Sequence, residues 1–316
     1  MILLALAAAF FVGWNIGAND TANCIGPTVG SGIIGYRQAV LLTASFALLG
    51  AVLEGKRVIN TVGTGIIGEK VDPAIILVAL VAGGLFVLFA TIWSMPVSTS
   101  QAVIGAIVGI GWAKHLKVQY GQLTQIVGAW IICPFLAMIM SYLLYVGLIA
   151  LFSRLKNQQK ALNIAGKLMV LSSCYVAYSL GANNVGNAVG FLKNLEQFSA
   201  STLSLAAFGG LAIAIGALTF GKRVTMTVGK SITPLNVPGA LSAQFCCAFG
   251  IHIFTILGIP VSTSQAIVGA VLGVGLVHGA RAVSKRTLIE IGVGWLATPT
   301  LSALFAFVGY KIFLRA

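Results

Sequence analysis

Two polar phrases recur at one fixed spacing inside an otherwise apolar chain. PVSTSQA stands at 96–102 and again at 260–266, and GANDTAN at 17–23 is echoed by GANNVGN at 181–187. Both pairs are 164 residues apart (260 − 96 and 181 − 17). A third phrase, GKRV, begins at Gly55 and at Gly221, 166 residues apart (221 − 55). The chain therefore reads as two copies of one unit: 1–153 as the first repeat, 154–166 as a basic inter-repeat loop, and 167–316 as the second repeat. Polar words in matching places of two apolar halves point to a site near the bilayer midplane, at the interface between repeats.

The setting is a membrane. Hydrophobic residues make up 58% of the 316 positions and charged residues only 8%, against about 25% charged in a soluble domain. Too few charges exist to coat a soluble core of this size. The expected class is an all-α polytopic membrane protein, with roughly 10–12 membrane segments of about 20 apolar residues each unless they are broken, placed in the plasma membrane. The net charge of +13 would suggest nucleic acid in a soluble protein; here basic loops setting membrane orientation explain it, and no nucleic-acid partner is expected. The five cysteines lie in apolar surroundings without CxxC spacing, so they read as small buried hydrophobes, not as a disulfide framework or zinc site. The opening MILLALAAAFFVGW lacks a basic n-region and reads as a first membrane helix, not a cleaved signal.

Apolar segments fall at 2–16, 39–53, 73–93, 102–112 and 126–152, then at 169–180, 203–220, 240–259, 266–277 and 288–313. The short ones adjoin the repeated polar words. Glycine- and proline-interrupted segments in matching places predict discontinuous or re-entrant helices. Such backbone survives at membrane depth only where protein or a water-filled cavity covers it. Five crossings per half make the second repeat inverted. With the N-terminus outside, the inside loops then hold ten basic residues and the outside loops eight, a weak bias in the expected direction.

Three motifs carry chemistry. In GANDTAN, Asp20 is a carboxylate at the end of an apolar segment, where ionisation costs about 2.5–3.5 kcal/mol on insertion scales. Asn19 and Asn23 are four apart and share a face of a helix. Amide N–H groups suit an oxyanion, whereas carbonyls with a carboxylate suit a small cation. The echo supplies Asn183, Asn184 and Asn187. The coupling cation, sodium or else a proton, is accordingly expected at Asp20, Asn19, Asn183 and Asn184. The plainer alternative makes these residues N-caps of a helix starting near Thr21. In PVSTSQA, a proline and three hydroxyls precede an apolar run, a strong helix start. Helix N-termini attract anions, so Ser98, Thr99, Ser100 and Gln101 are expected to bind an anion together with Ser262, Thr263, Ser264 and Gln265. The plainer alternative is a capped helix end with no ligand. GKRV reads as snorkelling side chains at the membrane boundary, or as an electrostatic funnel.

These phrases resemble the duplicated signature of the inorganic phosphate transporter (PiT) family: GANDTAN…GSG, GANNVGNAVG, both PVSTSQA segments, and GGLAIAIGALTFGKRVTMTVGKSITPL in the second half. The resemblance spans nearly the whole chain. It implies an inverted-repeat symporter of inorganic phosphate, commonly sodium-coupled and sometimes proton-coupled, without an organic cofactor. It also implies a dimer whose transport domains move against a scaffold. The chain departs from the family pattern at Asn184, where Asp is usual, at Ala47 and Gln244, where Glu is common, and at Gln101 and Gln265, where many relatives have His. Fewer carboxylates imply fewer coupling cations. The competing readings are a sulfate permease on the same fold and an anion channel. Hydrogen phosphate carries a proton that Asp20 can accept and sulfate does not, so the retained Asp20 favours phosphate. A channel needs an open pore. A membrane enzyme is disfavoured, since no His or acid lies beside the serines in sequence.

Overall fold

The computed structural model describes all residues except 94–96, 197–198, 222–234, 280–284 and 315–316, together with the side chains of 285–291. The chain runs through α1 (Ile2–Gly30), α2 (Tyr36–Glu54), a short α3 (Lys56–Asn60), α4 (Pro73–Ile92), α5 (Thr99–Lys114), α6 (Tyr120–Arg154), α7 (Gln158–Val189), α8 (Thr202–Phe220), α9 (Val237–Ile256), α10 (Thr263–Val277) and α11 (Lys285–Phe313). Eight of these helices are long and apolar enough to cross a membrane. The helices α5 and α10 have 16 and 15 residues, and at 1.5 Å per residue each falls short of a hydrocarbon core of about 30 Å. A stripe along α6, including Ile131, Phe135, Ile139 and Leu143, is exposed, as a lipid-facing helix requires. The protein is an integral, multi-pass, all-helical membrane protein.

Among the described residues, the STSQ stretches are helix starts, α5 beginning at Thr99 and α10 at Thr263. The expected interruption at GAND does not occur: α1 runs unbroken through 17–23, and α7 runs unbroken through 181–187. The N-cap reading of Asn19 or Asp20 before a helix starting near Thr21 falls with it, because these residues sit mid-helix. Glycine there does not end the helix; it lets another backbone approach. A methyl group on Gly17 would collide with the Ile213 carbonyl of α8, and one on Gly181 with the Ala47 carbonyl of α2. The basic loop read at 154–166 shrinks to 155–157, since α6 ends at Arg154 and α7 begins at Gln158. There Asn157 caps α7 by accepting the Lys160 N–H at 2.9 Å, so polar sequence starts a helix instead of extending a loop.

The halves are woven together reciprocally. Helix α1 packs on α8 and α2 on α7; likewise α5 packs on α11 and α10 on α6. Glycines set the matching contacts: Gly50 lies against Tyr178 and Gly216 against Trp14, Gly109 against Ala303 and Gly273 against Met138. Reciprocal exchange of this kind is the mark of a two-fold relation. The direction of the axis follows from α6. Its start lies beside the end of α5, where Trp112 Nε1–H donates to Tyr120 Oη at 3.2 Å. Its Tyr145 hydroxyl bonds His278, just past the end of α10, at 3.0 Å. Tyr120 and Tyr145 are separated by about 38 Å at a rise of 1.5 Å per residue. The two short helices therefore point to opposite ends of the molecule, and the repeats are inverted.

Candidate functional site

The short helices begin at the centre, nearly touching. Ser100 Oγ donates to the Val261 carbonyl at 2.7 Å, and Ser264 Oγ donates to the Val97 carbonyl at 3.1 Å. Each hydroxyl thus ties the start of its own helix to the extended lead-in of the other. Ser98 and Ser262 do what the plainer reading assigned them: each accepts the N–H three residues on, from Gln101 and Gln265, at 3.2 Å. They are N-caps.

Around this junction α1 and α7 supply the asparagine words. Thr99 Oγ1 donates to Asp20 Oδ2 at 2.9 Å, and at the matching place Asn184 Nδ2 donates to Thr263 Oγ1 at 3.0 Å. Asn23 and Asn187 cross between the halves. Asn23 Nδ2 donates to Ser264 Oγ at 2.9 Å, and Asn187 Nδ2 to Ser100 Oγ at 2.8 Å. Each also reaches back three residues, to Asp20 Oδ1 at 3.4 Å and to Asn184 Oδ1 at 3.0 Å. All fourteen residues singled out in the sequence are buried. Twelve form or touch this one network. Asn19 and Asn183 stand at its edge, donating to Thr91 Oγ1 at 2.9 Å and Thr255 Oγ1 at 3.0 Å. Asn183 also accepts the Val261 N–H at 2.9 Å, so it fixes the lead-in to α10.

Thr91 and Thr255 are partners that the sequence reading missed. The signal was present: they too are 164 residues apart (255 − 91), each eight residues before the threonine of the STS triplet (99 − 91 and 263 − 255). A second missed feature is a neutral cluster next to the site. Gln244 Nε2 donates to the Cys24 carbonyl at 2.8 Å and to Ser173 Oγ at 3.0 Å, while Thr28 Oγ1 donates to Gln244 Oε1 at 3.0 Å.

The site's electrostatics rest on one group. Asp20 is 1% exposed, and the sole ion pair among the described residues is His252–Glu54, so no basic side chain among them neutralises it. A buried charge persists only when paired or hydrogen-bonded. Hydroxyl and amide donors and the N-terminus of α5 provide part of this; a small cation or a proton can provide the rest. Nearby, the side-chain oxygens of Gln101, Gln265 and Asn187 are buried with no hydrogen-bond partner. Buried polar atoms are normally satisfied, and an amide end can serve a cation as acceptor or, turned over, an oxyanion as donor. The arrangement can hold an anion and a cation within one polar junction.

The first GKRV copy lies at the end of α2, where Lys56 and Arg57 are exposed and Arg57 donates to the Ile256 carbonyl of α9. Lys222 and Arg223 of the second copy lie outside the described residues.

Comparison with known proteins places this geometry. The chain matches the phosphate transporter family model twice, over residues 16–165 and 150–306. It is 30% identical to a protein of Pyrococcus horikoshii named "Putative phosphate permease", covering 99% of this chain and 98% of that one. It is 27% identical to the chloroplastic inorganic phosphate transporter 2-1 of Arabidopsis thaliana, covering 98% of this chain and 72% of that one. A solved structure, the sodium-dependent phosphate transporter, is similar at a TM-score of 0.88 and 27% identity, covering 98% of both chains. With the polar words, their inverted placement and the paired family matches in agreement, this chain belongs to the phosphate transporter family.

Proposed function

We propose that this protein is a cation-coupled secondary transporter of inorganic phosphate working by alternating access. The two repeats, 1–153 and 167–316, supply the two sides of the site. The observation that carries the reading is Asp20: a buried carboxylate with no basic partner among the described residues, set where two helix N-termini meet. Phosphate, a dianion, suits the helix ends and the hydroxyls of Thr99, Ser100, Thr263 and Ser264. The cation suits Asp20 with neighbouring amide carbonyls, and the similar solved transporter is sodium-dependent, which supports sodium as that cation. Cation binding beside the anion offsets the charge of each, so each ligand raises the affinity for the other. This reciprocity is what coupling requires.

The test is radiolabelled phosphate uptake into proteoliposomes, with sodium and proton gradients imposed separately and sulfate as competitor. Accumulation driven by the sodium gradient, with little competition by sulfate, is expected. Equilibration without accumulation under either gradient would mean a channel, and full inhibition by equimolar sulfate would mean a sulfate permease.

A further inference from the structure

A cavity of about 420 Å³ opens where α2 and α9 end and α3 begins, lined by Leu53, Glu54, Lys56, Arg57, Thr255 and Ile256. Its charged wall is mostly cationic. Lys56 is exposed and forms no ion pair among the described residues. Arg57 is anchored by its bond to the Ile256 carbonyl, which uses one of five guanidinium N–H groups and leaves the others for a ligand. The acid in the wall is already engaged. Glu54 Oε2 lies 2.7 Å from His252 Nε2. On the other side of the ring, Tyr175 Oη lies 2.7 Å from His252 Nδ1.

The floor leads inward. Thr255 is 1% exposed, and its hydroxyl accepts the Asn183 amide at 3.0 Å. Asn183 in turn holds the Val261 N–H at 2.9 Å, in the lead-in to α10. Thr255 and Asn183 thus link the cavity wall to the lead-in of α10.

We infer that this cavity is an anion-collecting vestibule, where a tetrahedral dianion such as inorganic phosphate docks against Lys56 and Arg57 before passing Thr255 and Asn183. The inference rests on the transport reading above and adds a docking site outside the buried junction.

The experiment is a charge series at Lys56, which is exposed and forms no ion pair among the described residues, so that folding is not at stake: Lys56→Arg, Lys56→Gln and Lys56→Glu. Initial rates of phosphate uptake and of efflux are measured in proteoliposomes at low and high ionic strength. At low salt the apparent KM for phosphate should be unchanged for Lys56→Arg, about three-fold higher for Lys56→Gln and about ten-fold higher for Lys56→Glu, in one transport direction only. The differences should collapse at roughly 0.5 M salt, where screening is short-ranged. A KM that ignores the charge at this position in both directions would overturn the vestibule. So would a salt-insensitive loss confined to kcat. If the wild-type protein carries sulfate instead, the series is read with sulfate; the phosphate reading then falls while the vestibule is still judged by its own charge dependence.

Discussion

The two asparagine words build the same skeleton with opposite hydrogen-bond polarity. In the first half Thr99 donates to Asp20; in the second, Asn184 donates to Thr263. Thr99 has one proton and spends it on the carboxylate. Thr263 accepts instead, so its own proton is left to donate elsewhere. Three kinds of bond around these pairs are matched: asparagine to serine across the halves, serine to carbonyl at the helix starts, asparagine to threonine at the edge. The fold thus imposes symmetry on positions, and a single substitution, Asp against Asn, breaks it in charge. A symmetric cradle can hold a tetrahedral anion at its centre, while the charge assigns the cation to one side.

The sharpest way to break this comparison is to move the charge. Asp20→Asn makes the halves chemically alike. It should insert and fold at least as well as the wild type, because an uncompensated buried charge is removed, yet lose coupled uptake by about a hundred-fold or more, as expected when a charge-dependent ion site is lost. Adding Asn184→Asp to that variant places the charge on the other side of the two-fold axis. If the halves are equivalent in all but charge, uptake returns in part; wild-type uptake by Asp20→Asn alone would remove the carboxylate from the mechanism.

A second pair of variants compares the hydrogen bonds themselves. Thr99→Val removes a bond to a charged group, worth about 1.5–3 kcal/mol, whereas Thr263→Val removes a neutral one worth about 1 kcal/mol. Phosphate affinity, read by calorimetry beside melting temperature, should therefore fall about ten- to a hundred-fold in Thr99→Val and about five-fold in Thr263→Val. Lowered melting with unaltered affinity in both would return these residues to the role of structural caps.

The smallest effect is expected at the edge. Thr91→Val and Thr255→Val each delete one neutral hydrogen bond from an asparagine, costing about 1 kcal/mol. Matched positions predict matched losses of melting temperature. A much larger transport defect in Thr255→Val would point to the vestibule, since only Thr255 lines that cavity.

What the sequence made legible was whatever the repeat repeats. The 164-residue offset located the junction, because both copies of each word fold into the same place. Inversion followed from counting crossings, and the bonds at the two ends of α6 bear it out. The breaks were overread. Glycine in GAND looked like punctuation, but Gly17 and Gly181 seat facing carbonyls, a function invisible until the partner helix is known. Contacts outside the repeat stayed hidden for the same reason, even where a residue such as Gln244 stood out by resemblance. Glu54 and His252 are 198 residues apart and belong to no motif. The Gln244–Ser173 pair has Leu80 and Ala9 at the matching positions of the first half (244 − 164 and 173 − 164), so no internal comparison could flag it.

The weaving of the halves also sets a timetable. Asn23 finds Ser264 only after 241 further residues have been made; α1 waits for α8, α2 for α7, and α5 for α11. At about 5–20 residues per second, the first half spends roughly ten to fifty seconds in the bilayer with its polar side chains lacking their final partners. A ribosome that stops after Arg154 leaves behind not a smaller transporter but an amide-lined surface in hydrocarbon. Such a surface is what membrane quality control can distinguish from a finished chain.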